Sequence, residues 1–139
     1  MSQAHKNVML RIASEVLGAH KLDLAADLVA ADVVDHSAFP GQPPGLAGMR
    51  QRWAMLLEAF PDFAITVHAI IAEGDLVALR TSGRGTHRGP FFGIPPTGRS
   101  IVFHETNFNR FRDGKLVEHW ADRGNLEVLQ QLGAVPGGA

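Results

Sequence analysis

The hydrophobic rhythm of the chain changes near residue 60. Before that point apolar residues recur at three- and four-residue intervals, the spacing of one helix face. After it they alternate with polar residues, as on a strand whose two faces meet different surroundings. Val8, Ile12, Val16 and Leu17 predict a first helix over residues 3–19, and Leu24, Leu28 and Val29 a second over 22–29. Residues 32–36 read as a short strand, and 37–45, rich in proline and glycine, as a loop. Met49, Trp53, Leu56, Leu57 and Phe60 line one side of a third helix over 46–59, which Pro61 ends. Residues 63–72, 76–85, 100–111 and 116–122 read as strands. They are joined by a turn at Glu73-Gly74-Asp75, a Gly/Pro loop over 88–98, and a hairpin at Arg112-Asp113-Gly114-Lys115, where Asp-Gly suits a primed two-residue turn. A closing helix over 125–132 stops at Gly133. Helices first and antiparallel strands afterwards predict one α+β domain over residues 1–139, with helices packed on one face of a curved sheet.

The hairpin sets a register. With Asp113 and Gly114 in the turn, Phe111 falls opposite Leu116, Asn109 opposite Glu118, Asn107 opposite Trp120 and Glu105 opposite Asp122. One face then carries Ile101, Phe103, Glu105, Asn107 and Asn109 with Glu118, Trp120 and Asp122. The other carries Val102, His104, Thr106, Phe108 and Arg110 with Val117 and His119. A bulge would slip the register by one and exchange the faces. If the first face lies under the helices, its polar groups must be paired or must line a cavity. Two carboxylates on one rung repel, so one of them would hold a proton near neutral pH. An ordinary solvent face with Trp120 half-exposed fits the same register. The indole favours the pocket, because an aromatic between polar neighbours often floors a binding site.

Composition narrows the function classes. The 139 residues suit one core, with 45% hydrophobic and 19% charged residues. A formal net charge of −1 without basic runs argues against nucleic acid and membrane surfaces as partners. Cysteine is absent, which removes disulfides and thiolate chemistry; tyrosine is absent, which removes mechanisms that need a phenol. No apolar run approaches a membrane span and no secretory pattern opens the chain, so a soluble, cytoplasmic protein is expected. Seven histidines are scattered without metal-ligand spacing, so neither a metal nor a cofactor is expected. His36 is expected at a cavity rim, His87 as the organiser of the Gly/Pro loop, and His119 on the outer sheet face. Trp53 is expected in the core or cavity wall, and Phe91 and Phe92 in a loop closing over the cavity.

The whole chain resembles the SnoaL-like polyketide cyclases of the nuclear-transport-factor-2-like superfamily. The segments that carry the resemblance are Leu28–His36, Glu58–Asp62, Gly85–Arg99 with its Gly-Ile-Pro-Pro-Thr-Gly run, Asp113–Trp120 and Leu129–Gly133. The resemblance implies a cone-shaped α+β barrel, a bent sheet wrapped around the N-terminal helix with a deep apolar cavity, and a homodimer. It also implies that an aspartate on the last long strand, here Asp122, is the general acid/base for an intramolecular aldol ring closure. Asn107, or a protonated Glu105, would donate a hydrogen bond to the developing enolate oxygen. His36, Trp120, Trp53, Phe91, Phe92 and Phe103 would contact a small apolar or aromatic substrate. Epoxide-hydrolase relatives carry an Arg and a second Asp where this chain offers Glu105 and Asn107. A non-catalytic ligand-binding module of the same fold is the competing expectation.

Overall fold

The computed structural model describes residues 2–135. The N-terminal helix α1 (Ser2–Arg11) continues as a π-wound stretch, Ile12–Gly18. A short 3₁₀ turn and α2 (Ala25–Leu28) lead into β1 (Val29–Asp35), followed by α3 (Gly45–Ala59). Strands β2 (Ala64–Glu73), β3 (Leu76–Thr86), β4 (Ser100–Arg112) and β5 (Lys115–Arg123) and the closing helix α4 (Asn125–Gln131) complete the order. The predicted second helix loses its last residue to β1. Val29, Val33 and Val34 are β-branched and favour the sheet, and Val29 and Val33 are buried in it.

The five strands form one mixed sheet in the order β1-β5-β4-β3-β2. All neighbours run antiparallel except β1 and β5, which are parallel. The sheet is not closed: β1 and β2 are its two edges, so the expected barrel is an open, curved sheet. The helices cover its concave face. There Met9, Ile12, Val16 and Leu17 from the first helix and Met49 and Trp53 from α3 meet Val77, Leu79, Phe111 and Leu116 from the sheet.

Two local features shape that face. In β3, Gly83 passes beneath the stacked rings of Phe63 and Phe103 (centroids 5.5 Å apart). A Cβ there would lie 2.8 Å from both rings. The hairpin turn is as predicted: Asp113 and Gly114 both have positive φ (53° and 78°), the signature of a type I′ turn.

The predicted register holds only for the first rungs, Arg112–Lys115 and Phe111–Leu116. Val117 is then an extra residue on β5, a β-bulge, and Arg110 pairs with Glu118. Beyond it Asn109 lies opposite His119, Asn107 opposite Ala121, and Glu105 opposite Arg123. The β4 side chains keep their expected face. Those of β5 change sides: His119 is turned inward and buried, and Asp122 is exposed on the convex face.

Substituting Gly83 by alanine should lower stability by roughly 1–3 kcal/mol, the typical cost of overpacking a filled site. Urea unfolding of Gly83→Ala against the native chain measures it, and an unchanged midpoint would show that the two rings can part freely.

Candidate active site

The concave face encloses a cavity of about 100 Å³. Its wall is apolar over most of its extent, with Ile12, Leu17, Met49, Trp53, Phe63, Leu79, Phe91 and Phe103. Its polar end gathers Arg52, Thr81, Glu105, Asn107, His119 and Arg123. The alternation of β4 delivers Glu105 and Asn107, the bulge turns His119 and Arg123 inward on β5, and α3 brings Arg52 from above.

These groups hold one another. Arg52 donates to Asp35, and both side chains are almost wholly buried (7% and 4% exposed). Gln42 Nε2 donates to the same carboxylate oxygen, Asp35 Oδ2, at 3.0 Å, while its Oε1 accepts from the Phe39 amide. Burial alone would raise the Asp35 carboxyl, but Arg52 and Gln42 hold it below the ordinary carboxylate value. Asn109, fully buried, spends its amide N–H groups on Asn107 Oδ1 (2.6 Å) and the Val77 carbonyl (3.3 Å). Its Oδ1 is left to accept from His119 Nδ1 at 2.7 Å. That assigns the proton of a neutral His119 to Nδ1. Burial, reinforced by Arg52, depresses the imidazole from 6.5 to about 3, so it is neutral at physiological pH.

Glu105 and Arg123 form the remaining pair. Arg123 Nε lies 3.6 Å from Glu105 Oε1, with side chains 11% and 20% exposed. Arg123 Nη1 donates to the Ser37 carbonyl at 2.6 Å. Burial holds the Glu105 carboxyl above the ordinary range, against the pull of Arg123 and Arg52. Phe39, from the loop after β1, covers both guanidiniums, with Arg123 at 5.2 Å and Arg52 at 5.9 Å from its ring centroid.

Of the residues singled out from sequence, Glu105, Asn107, Trp53, Phe91 and Phe103 line this cavity. Asp122, Trp120 and His36 do not. Asp122 sits opposite Thr106 on the convex face, exposed, because the Val117 bulge reverses the outer half of β5. Trp120 lies on the same outer face, stacked on His36 at 4.9 Å with Arg110 over the indole at 5.8 Å. His36 Nε2 bonds Glu118 at 2.7 Å, so it is a sheet-surface residue and not a cavity-rim group. Phe92 stands outside the wall, 45% exposed, packed on Phe91 (4.6 Å) and Phe39 (5.0 Å), and bridges the two loops over the mouth. His87 is buried and accepts from the Thr97 amide at 3.1 Å, which ties the Gly/Pro loop as expected.

Sequence reasoning missed Asp35, Arg52, Phe39, His119 and Arg123. One signal was present: the unbulged rung sets Glu105 against Asp122, whereas a one-residue slip sets it against Arg123 and replaces repulsion with attraction. Among the described residues no cluster of His, Asp and Glu is placed to hold a metal, and no helix is long and apolar enough to cross a membrane.

Helices laid over one face of an open, bent sheet, with a mostly apolar cavity between them, define the nuclear-transport-factor-2-like class of α+β domains. Within that class the chain belongs to the SnoaL-like polyketide cyclase family, whose model matches residues 7–132. IdmH from Streptomyces antibioticus, provisionally described as a polyketide cyclase, is 36% identical, with 93% of this chain and 98% of that chain covered and a TM-score of 0.79. AclR from Streptomyces galilaeus, provisionally described as a hydroxylase, is 31% identical, with 100% and 87% covered and a TM-score of 0.87. TsrD from Streptomyces laurentii shares the fold at 21% identity, with 97% and 98% covered and a TM-score of 0.89. No curated protein matches the sequence.

The depressed His119 predicts a pH dependence. A group whose folded pKa lies below its unfolded value stabilises the fold fully above the unfolded value, here 6.5, and loses that contribution as pH falls toward about 3. The native chain should therefore weaken between pH 6.5 and 4.5, above the carboxylate range. His119→Asn, which keeps a donor for Asn109, should weaken much less there. Urea midpoints across that interval decide it, and parallel curves would refute the assignment.

Proposed function

We propose that the protein is a cofactor-free acid/base enzyme acting on an apolar, carbonyl-bearing small molecule, and that its reaction is an intramolecular aldol ring closure of the polyketide cyclase type. The observation that carries this reading is a buried carboxyl with a raised pKa, Glu105, beside a guanidinium in an otherwise apolar cavity. A raised pKa makes the ionised carboxylate a stronger base, and the low-dielectric wall strengthens each interaction with developing charge. The Glu105 carboxylate removes a proton α to a substrate carbonyl and becomes neutral. Charge gathering on the enolate oxygen is met by Arg123 and by the Asn107 amide. The enolate carbon attacks a second carbonyl of the same molecule, which the cavity folds into contact, and the new alkoxide takes the proton back from Glu105. Asp122, on the far side of the sheet, has no part in this.

Glu105→Gln should reduce turnover of a cyclisable diketone by roughly 10²–10⁴, the usual worth of general acid–base catalysis. Arg123→Gln should reduce it by roughly 10²–10³, the loss typical of one oxyanion donor. Steady-state rates on a small poly-β-ketone thioester measure both. Full activity in Glu105→Gln would leave the cavity a binding site without acid/base chemistry.

The same reading includes a homodimer formed through the convex sheet face. Val34, Val102 and Phe108 are about half exposed there, and Phe108 shares rungs with Ala78 and Trp120. Large apolar side chains exposed on an open sheet face gain by being covered in an interface. Light scattering should give twice the chain mass for the native protein and the single mass for Phe108→Glu. A native monomer at micromolar concentration would exclude the dimer.

A further inference from the structure

The polar end of the cavity holds a guanidinium whose hydrogen bonds are incomplete. Two guanidiniums lie there, and their counter-charges differ. Arg52 is matched: Asp35 takes its Nη1, and Gln42 Oε1 stands 3.5 Å away. Arg123 is not. Its Nη1 bonds a neutral carbonyl, that of Ser37, and its nearest carboxylate oxygen, on Glu105, lies at 3.6 Å, beyond a hydrogen bond. Its Nη2 is buried and has no hydrogen-bond partner among the described residues. An unsatisfied charged donor in such a place is costly, and native structures rarely keep one without a use. The Phe39 ring against it disperses the charge but does not cancel it.

The other titratable groups around Arg123 leave that donor unmet. His119 is neutral, Asp35 is committed to Arg52, and burial opposes ionisation of Glu105. The missing partner is an acceptor oxygen for Arg123 Nη2, and the rest of the wall, with Phe63, Leu79, Met49 and Trp53, accepts only an apolar body.

We propose that Arg123 is the receptor for an ionised oxygen group on the ligand, and that the cavity selects apolar molecules bearing a single carboxylate or an ionised 1,3-dicarbonyl over their neutral counterparts. This rests on the reading above, since it names the charge state of the molecule on which Glu105 acts. A ligand bound as an anion presents its charged oxygen to the guanidinium and its carbon framework to the apolar wall. For a 1,3-dicarbonyl that anion is the enolate left when the Glu105 carboxylate takes the α proton, so neutral Glu105 and the anion on Arg123 arise in one step.

The experiment is binding, not turnover. Isothermal titration at pH 7 compares 2-naphthoate with 2-naphthamide and with the 2-naphthylmethylammonium cation, on the native chain and on Arg123→Gln, Arg123→Lys and Glu105→Gln. Native protein is expected to bind naphthoate at least about tenfold tighter than the amide, the scale of one buried charge-assisted hydrogen bond, and to reject the cation. Arg123→Gln should bring naphthoate and naphthamide together, and Arg123→Lys should restore part of the gap. Glu105→Gln, which removes a competing carboxylate, should bind naphthoate at least as tightly as the native chain even where its turnover has collapsed. Equal affinity of native protein for naphthoate and naphthamide would overturn the proposal without any variant. So would weaker naphthoate binding by Glu105→Gln. An anion preference in a protein that cyclises no diketone would leave this inference standing and remove the enzymatic one.

Discussion

One extra residue in the last strand controls what the cavity is made of. Side chains on a strand alternate strictly, so the Val117 bulge decides the facing of every β5 residue beyond it. Two demands meet there. Leu116 must face inward, where it is 1% exposed in the core, and Glu118, Trp120 and Asp122 must face outward, where Glu118 can bond His36 and Arg110. Both residue sets have even numbers, and a regular strand would put them on one side. The bulge separates them. It also sets Glu105 against Arg123, where the regular ladder would set two carboxylates against each other.

The polar end is stable because its members come from all parts of the fold. Asp35 ends an edge strand, Arg52 lies on the helix above, Gln42 lies in the loop between them, and Asn107, Asn109 and His119 come from the sheet floor. Breaking the Arg52–Asp35 pair by removing one member would strand a buried charge, a cost of about 3–5 kcal/mol. The same network fixes Phe39, whose backbone N–H donates to Gln42 Oε1, so the loop that caps the cavity is anchored by the groups it covers. Phe92 meets Phe39 from the opposite loop, and the mouth is framed by two aromatic side chains on connections rather than on regular elements.

How much was legible from sequence differs by strand. On β4 the inward set, Ile101 to Asn109, followed from alternation alone, since no bulge interrupts that strand's facing. On β5 the alternation was read correctly but started from the wrong rung count. Leu116 and Val117 are both apolar, and nothing in the pair says which one is the extra residue. His36 and Trp120 were misplaced for the same reason: their stacking belongs to the outer face, and the sequence shows aromatic character but not side. Arg52 escaped notice because a lone arginine within a helix reads as solvent-facing until a buried carboxylate is found opposite it.

By itself the sequence determined the local conformations and the fold class. Helical and alternating periodicities, the Asp-Gly turn and the β-branched run of β1 are short-range constraints, written in neighbouring residues and satisfied wherever the chain goes. The tertiary structure alone decided the chemistry of the cavity. Asp35, Arg52, Glu105 and Arg123 are distant along the chain, and their charges acquire partners and shifts only after helix and sheet pack together and water is removed. A single bulge, a matter of competing rungs across two strands, then chose which of His119, Trp120, Asp122 and Arg123 face the cavity.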